Sequence, residues 1–483
     1  MDAISPTMPA TLSIIDTLAD LPPEWPEDRL AEIQARIKAA GRKIVVLDDD
    51  PTGTQTVHGV PVLTTWSVEA LVRELESSTR AFYILTNSRS LTASAAAKLA
   101  GEIGENLENA RVRTGCQIDV ISRSDSTLRG HFPGEVDALS AALGMREAAC
   151  LLIPFFLEGG RYTIANVHYV AENDRLIPAA QTPYARDAVF GYRHSNLCRW
   201  IEEKTRGRVP AGEVATITMD ELRSLGPNQV ARKLAAVPAG GYGIVNAAAY
   251  RDLEVLVAGL LETEARGKRF VCRTAASFVR VRAGIAPRDT IAGDELTIRT
   301  DHGGLFVVGS YVPKTTAQLH KLLGDTDCAA VAVSVAKLID GGRRQDEIDR
   351  VVTATAERLR DGRDTALFTS RELVTAASDR ENLTIAKRVS DSLIRIVRAL
   401  PCQPRYLVAK GGITSSDVAT RGLGVRRAMV MGQLLPGVPV WQLGEETRYR
   451  GMAYIVFPGN VGSDDALAEI QKKLAPKKGE RPR

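Results

Sequence analysis

The chain has 483 residues, too many for one ordinary core, and at about 150 residues per domain it predicts two or three. Its 44% hydrophobic and 25% charged residues are the balance of a soluble globular protein. The net charge of +4 is carried by scattered basic residues, which argues against a nucleic-acid or membrane-surface partner. No apolar stretch approaches the roughly 20 residues that span a bilayer. Cys116, Cys150, Cys198, Cys272, Cys328 and Cys402 lie far apart without a Cys-x-x-Cys pair. That pattern excludes the usual structural zinc site and predicts reduced thiols in a cytoplasmic setting.

Residues 1–26 hold acids and prolines rather than a basic stretch and an apolar core, and they read as a loosely attached arm. A helix is expected over Pro26–Ala40, where Leu30, Ile33 and Ile37 recur at helical spacing. Apolar β-type runs then alternate with helical segments. The runs are Ile44–Leu47, Val60–Leu63, Phe82–Leu85, Ile118–Ile121, Leu151–Ile153, Gly243–Val245 and Phe270–Cys272. Helical patterns include Val68–Glu76, capped by Ser67, and Ala93–Ala110. This alternation predicts βαβ units and a largely parallel sheet. The stretch from Ala171 to Pro238 gives no clear reading beyond a helix at Ser195–Lys204.

The first strand ends in Asp48-Asp49-Asp50 followed by Pro51-Thr52-Gly53. Three adjacent carboxylates repel one another and need a cation, a proton or donors to settle them. Later strands lead into Thr86-Asn87-Ser88-Arg89, into Ser122-Arg123-Ser124-Asp125-Ser126-Thr127-Leu128-Arg129-Gly130, and into a loop ending at Arg161. Parallel strands deliver all these loops to one sheet edge, where open α/β sheets bind ligands. Arg89, Arg123 and Arg129 among hydroxyl side chains suit an anionic, hydroxylated small molecule. The competing reading pairs those arginines with Asp49, Asp50, Asp125 or Glu135 in an ionic network that merely closes the edge. His131 is expected to be structural.

Glycines, a proline and charges without apolar periodicity mark a boundary at 282–304. A second alternating set follows: Leu305–Val308, Ala329–Val333, Ala366–Phe368, Tyr406–Val408, Met429–Met431 and Tyr454–Phe457, with helices at Thr316–Leu323, Asp346–Leu359 and Ile385–Leu400. Three glycine-bearing loops follow strands here. They start at Gly309-Ser310, at Lys410-Gly411-Gly412-Ile413-Thr414, and at Gly459-Asn460-Val461-Gly462. Glycine admits close approach of backbone N–H groups, and a helix N-terminus adds positive partial charge, so the set predicts a phosphate-binding edge. Neither a Walker A motif nor a Gly-x-Gly-x-x-Gly fingerprint is present. Pro436–Pro439 and Arg448–Arg450 read as ordinary loop, and the Lys- and Pro-rich tail as disordered.

The order of these motifs resembles the four-carbon acid sugar kinases. The matching residues are Asp49-Asp50-x-Thr52-Gly53, Ser88-Arg89, Asp125-Ser126-Thr127-Leu128-Arg129-Gly130, Gly309-Ser310 with Thr316 and Gln318, Gly411-Gly412 with Thr414, Pro436-Gly437-Val438-Pro439 and Gly459-Asn460-Val461-Gly462. The resemblance implies an α/β protein of two domains, each a largely parallel sheet flanked by helices, with the active site in the cleft between them. The expected layout is an arm and helix over 1–40, a sugar-acid domain over 41–285, a boundary segment over 286–304, a nucleotide domain over 305–475 and a tail over 476–483. The implied reaction is phosphorylation by ATP, with Mg²⁺, of the terminal hydroxyl of a tetronate or oxo-tetronate.

Asp49 or Asp50 is expected to act as the base. Thr52, Gly53, Ser88, Arg89, Arg123, Asp125, Ser126, Thr127 and Arg129 are expected on the acid, with Arg89 and Arg129 holding its carboxylate. Gly309, Ser310, Lys314, Lys410, Gly411, Gly412, Ile413, Thr414, Gly459, Asn460 and Gly462 are expected on the nucleotide. The metal ligands and any homo-oligomer stay open. The chain departs from the family in its Asp-Asp-Pro-Thr-Gly-Thr-Gln first loop and in Tyr311-Val312-Pro313-Lys314, where the family is Ser-rich. Two alternatives remain at this level: an NAD(P)-dependent hydroxy-acid oxidoreductase, and a non-catalytic sensor of a sugar acid and a nucleotide.

Overall fold

The computed structural model describes residues 9–296, 300–309, 312–370, 379–459 and 461–475. Ser310, Tyr311, Asn460 and the 476–483 tail therefore lie outside the described residues. The chain separates into two compact units, one of residues 1–53 and 66–287, the other of residues 54–65 and 288–483.

The first unit is built on seven parallel strands. Their order is Ala215–Ile217, Tyr242–Val245, Ala149–Ile153, Phe270–Thr274, Ile118–Arg123, Lys43–Asp48 and Ala81–Leu85. Every residue of Lys43–Asp48 is buried, as expected for a parallel strand covered on both faces. Helices pack in two groups. Ala93–Thr114 lies between Val68–Glu76 and Gly134–Ala142, and Tyr250–Ala265 between Gly226–Ala236 and Leu30–Ala40. The Ser67 and Thr92 side chains accept from backbone N–H groups in the first turns of Val68–Glu76 and Ala93–Thr114.

The start of the stretch without a clear reading joins a small antiparallel sheet ordered Leu12–Ser13, Arg175–Pro178, Val167–Glu172 and Arg161–Ile164; the rest of it supplies the helices Leu197–Lys204 and Gly226–Ala236 and the strand Ala215–Ile217. For residues 9–26 this corrects the expectation of a loose arm; residues 1–8 lie outside the described residues. Leu12–Ser13 pairs with Arg175 and Leu176, the Pro9 and Pro22 carbonyls accept from Gln181 and Arg223, and Trp25 lies against Gly226.

The second unit carries five parallel strands in the order Ala453–Phe457, Tyr406–Lys410, Leu305–Val308, Thr365–Thr369 and Ala329–Val333. Three antiparallel strands, Val438–Leu443, Arg427–Leu435 and Val60–Leu63, extend it beyond Ala453–Phe457. Two readings from sequence are corrected here. Val60–Leu63 is a strand, but it belongs to the second unit and pairs antiparallel with Arg427–Val430. An apolar run declares that it is buried, not which sheet buries it. Pro436–Pro439 is not plain loop: Leu435 pairs with Val438 across a two-residue Pro436–Gly437 turn, and a strand follows. Proline at the first central position and Gly437 at φ +78° are what a type II turn demands. No described helix is long and apolar enough to cross a membrane, and the six cysteines are free thiols.

Candidate functional site

In the first unit, strand register brings the loops together. Asp48 lies opposite both Leu85 and Arg123, and Arg123 opposite Thr274, so the segments that follow share one edge. Asp48 and Asp49 are buried there. Asp48 accepts from Arg123 Nη1 at 2.9 Å. Burial pushes its carboxyl up to about 7 against the pull of Arg123, and the neighbouring Asp49 and Asp50 charges add to the rise.

Asp49 is held differently. Burial opposes its charge, but Arg89, Arg123 and the Ser124 hydroxyl outweigh burial and hold it below the usual carboxylate range. Arg89 grips Asp49 with Nη2 at 2.6 Å and Nε at 3.4 Å. Ser124 Oγ donates to its other oxygen and in turn accepts from Arg273 Nη2 at 2.7 Å.

Asp50 is more open. Its Oδ1 accepts from the backbone N–H of Thr52 at 2.8 Å and from the Thr52 hydroxyl, while Oδ2 stands 3.6 Å from Arg89 Nη1. Thr52 thus serves the turn itself. Gly53 does too: a Cβ there would fall 1.8 Å from Asp48 Oδ2, so only glycine lets the turn close over the buried carboxylate.

On the neighbouring loop, Asp125 accepts from Arg129 Nε at 2.8 Å and from the Thr127 hydroxyl, and lies 3.9 Å from Arg89. Burial opposes its charge, but Arg89 and Arg129 pull its carboxyl far below the ordinary value. The backbone of this loop is fixed from behind. His168 Nε2 lies 2.7 Å from the Ser126 carbonyl and Tyr192 donates to the Thr127 carbonyl at 2.8 Å. Ser88 and Ser126 are buried, as is His131, whose Nε2 has no partner. The structure therefore brings Asp49, Asp50, Arg89, Arg123, Asp125, Ser126, Thr127 and Arg129 together. It also pairs the arginines with the acids, as the ionic-network reading anticipated.

In the second unit, Lys410 lies opposite both Phe457 and Val308, so three adjacent parallel strands release their glycine loops side by side. Gly309 sits against Thr414, where a Cβ would meet Oγ1 at 2.6 Å. Gly411, at φ +109°, opens the short helix Gly412–Asp417, and Ile413 is exposed. Gln318, buried in the helix Pro313–Asp325, donates to the Val461 and Ser463 carbonyls at 3.0 and 2.8 Å and ties the third loop to that helix. Lys314 is exposed at the start of the same helix.

Lys410 does not face outward as a phosphate ligand would. It is fully buried, lies 3.9 Å over the Phe457 ring, and donates to the Pro458 and Gly459 carbonyls at 2.7 and 3.2 Å. Burial, with Lys314 adding to it, brings its ammonium down to about 7. These bonds tie its ammonium to the backbone at Pro458 and Gly459. Among the described residues no group of three or more His, Cys, Asp or Glu side chains is placed to hold a metal ion.

Two family models match the chain in succession. A sugar-binding N-terminal domain covers residues 44–282, and a nucleotide-binding C-terminal domain covers residues 305–467. The chain belongs to the four-carbon acid sugar kinase family. A D-erythronate kinase of Heliobacterium modesticaldum is 26% identical over 57% of this chain and 61% of its own length. A D-threonate kinase of Bordetella bronchiseptica is 27% identical over 42% of this chain and 54% of its own. The alignments thus span between half and two thirds of these relatives. The crystal structure of Haemophilus influenzae protein HI1011, of family DUF1537, shares the fold with a TM-score of 0.61 at 18% identity, over 89% of this chain and all of that one.

Sequence reasoning missed several members of the first unit's edge. Arg273 is buried, bonds Ser124 and donates to the Arg129 carbonyl at 2.9 Å. A charged residue inside the run Phe270-Val271-Cys272-Arg273-Thr274 was the available signal. Tyr184, whose ring lies 5.1 Å from the Arg129 guanidinium, gave no signal, because its segment has no regular period.

Proposed function

We propose that the protein is an ATP-dependent kinase that phosphorylates the terminal hydroxyl of a four-carbon acid sugar, a tetronate or oxo-tetronate. The first unit binds the acid and the second the nucleotide. What supports this reading most is the side-by-side emergence of three glycine loops in the unit matched by the nucleotide-binding model, alongside an arginine- and hydroxyl-lined edge in the unit matched by the sugar-binding one. The names of the erythronate and threonate kinases point the same way.

Phosphoryl transfer asks a protein mainly for positioning and charge stabilisation. Asp50 is the proton acceptor for the attacking hydroxyl. It is the more accessible of the two candidates, whereas both oxygens of Asp49 are already engaged by Arg89 and Ser124. Ser126, Thr127 and Ser88 line the space around the acid's hydroxyls. Backbone N–H groups at Gly309, Gly412–Thr414, Gly459 and Gly462 receive the phosphates, while the Gly411 N–H is spent on the Phe457 carbonyl. The acidic edge does not fit a protein-held Mg²⁺, because its carboxylates are paired with guanidinium groups. The Mg²⁺ expected from sequence would accompany the nucleotide's phosphates.

The test is a coupled ADP-release assay of the full chain with ATP and a panel of erythronate, threonate and oxo-tetronate isomers. ADP formation dependent on at least one of them is expected. No ADP with any of them, together with NAD(P)H formation from the same acids, would replace the kinase reading with the oxidoreductase one.

A further inference from the structure

Arg161 opens the Arg161–Ile164 strand, after the loop that leaves Ile153 at the first unit's carboxyl edge. Its guanidinium lies 5.7 Å from the centre of the Tyr184 ring, the same ring that Arg129 approaches to 5.1 Å. Arg161 is half-buried, its Nε is shielded from solvent without a hydrogen-bond partner, and no carboxylate pairs with it among the described residues. Arg273 also lacks a carboxylate, but it is spent inside the edge on the Ser124 hydroxyl and the Arg129 carbonyl, and the remaining arginines are paired. Arg89 is engaged by Asp49, Arg123 by Asp48, and Arg129 by Asp125 at 2.8 Å and Asp187 at 3.6 Å. A partly buried guanidinium without a counter-ion is costly unless a ligand supplies one. His168 adds no second positive charge: burial, with the Arg161 charge adding to the effect, pushes its imidazole down to about 4, so it is neutral at pH 7.

We propose that Arg161, with Arg129 against the same Tyr184 ring, binds the carboxylate of the acceptor acid. The inference rests on the sugar-acid kinase reading and changes one part of it: Arg89, expected from sequence to share in this clamp, has its fork occupied by Asp49, and Arg161 takes its place. The planar fork of an arginine matches a carboxylate, and a ring beneath it fixes its plane before the ligand arrives. The order of charges along the edge fits the acceptor's two ends. Asp50 stands 3.6 Å from Arg89, Arg89 3.9 Å from Asp125, and Asp125 2.8 Å from Arg129, beyond which come Tyr184 and Arg161. A chain of contacts thus connects the base to the cation that no carboxylate pairs, and a molecule with a hydroxyl at one terminus and a carboxylate at the other needs both.

Arg161→Ala and Arg161→Lys are the variants to make, with D-erythronate and D-threonate as probes and erythritol as the uncharged counterpart. Arg161→Ala is expected to raise the KM for the acid by roughly tenfold or more. The KM for ATP, the Tm and any residual turnover of erythritol should stay at wild-type values, and Arg161→Lys should recover part of the loss. An unchanged acid KM in Arg161→Ala, with the wild type active, overturns the clamp and leaves the kinase reading standing. Calorimetric titration of the acids without nucleotide separates the two ideas. If the wild type binds an acid that it does not phosphorylate, and Arg161→Ala loses that binding, the clamp survives while the kinase reading fails.

Discussion

The two units present opposite solutions at the same architectural position. Each uses the carboxyl edge of parallel strands. The first crowds that edge with charged side chains, of which Asp48, Asp49, Arg123 and Arg273 are buried. The second strips side chains away and leaves glycines, with one buried cation, Lys410, bonded to backbone carbonyls. The contrast follows from the ligands proposed. A small oxidised sugar has chemically distinct ends that only distinct side chains can tell apart, whereas phosphate oxygens are alike and are met by repeated N–H groups. The charged edge carries a desolvation cost that its pairing must offset. The glycine edge carries a conformational cost instead.

If the first edge works through side-chain chemistry, Asp50→Asn should have the largest effect. It should lower kcat by roughly 10²–10⁴-fold while ATP still binds. Near-normal kcat would remove Asp50 as the base and shift attention to Asp49.

If the second edge works through bare backbone, a single methyl there should matter. A Cβ on Gly459 would meet no atom within 4 Å, so Gly459→Ala should fold with an unchanged Tm. Its KM for ATP should nevertheless rise by about tenfold, the loss of one good contact. An unchanged KM would place the phosphates elsewhere.

The smallest expected effect is on stability, and here the units should respond to pH in opposite senses. The Asp48 carboxyl is raised to about 7 in the native protein, so between about pH 4 and 7 the unfolded chain binds fewer protons there, and stability falls as pH rises. The Lys410 ammonium is lowered to about 7, so between about pH 7 and 10 the unfolded chain binds more protons, and stability rises with pH. Thermal melts across pH 4–10 should show both trends, each roughly a few degrees in Tm. Asp48→Asn should flatten the first and Lys410→Met the second. Variants whose pH profiles match the wild type would show that these two groups do not carry the linkage.

Much of this was readable along the chain, because burial leaves a periodic mark. Val68–Glu76, Leu305–Val308 and Ala329–Val333 have the limits expected from their apolar pattern. The parallel alternation also sufficed to put Asp49, Arg89, Asp125 and Arg129 on one edge and the glycine loops on another. Pairing leaves no such mark. Which unit Val60–Leu63 joined, which arginines found a carboxylate, and whether Lys410 faced a ligand or a carbonyl were decided by residues far away in sequence. Arg161 and Tyr184 show the limit most clearly, since a ring and a guanidinium 23 positions apart in the chain become neighbours only once the antiparallel sheet has folded back over the strand ends. Local sequence determined what each segment buries; only the tertiary structure decided which charge each partner neutralises, because electrostatic pairing depends on distance in space and not on distance along the chain.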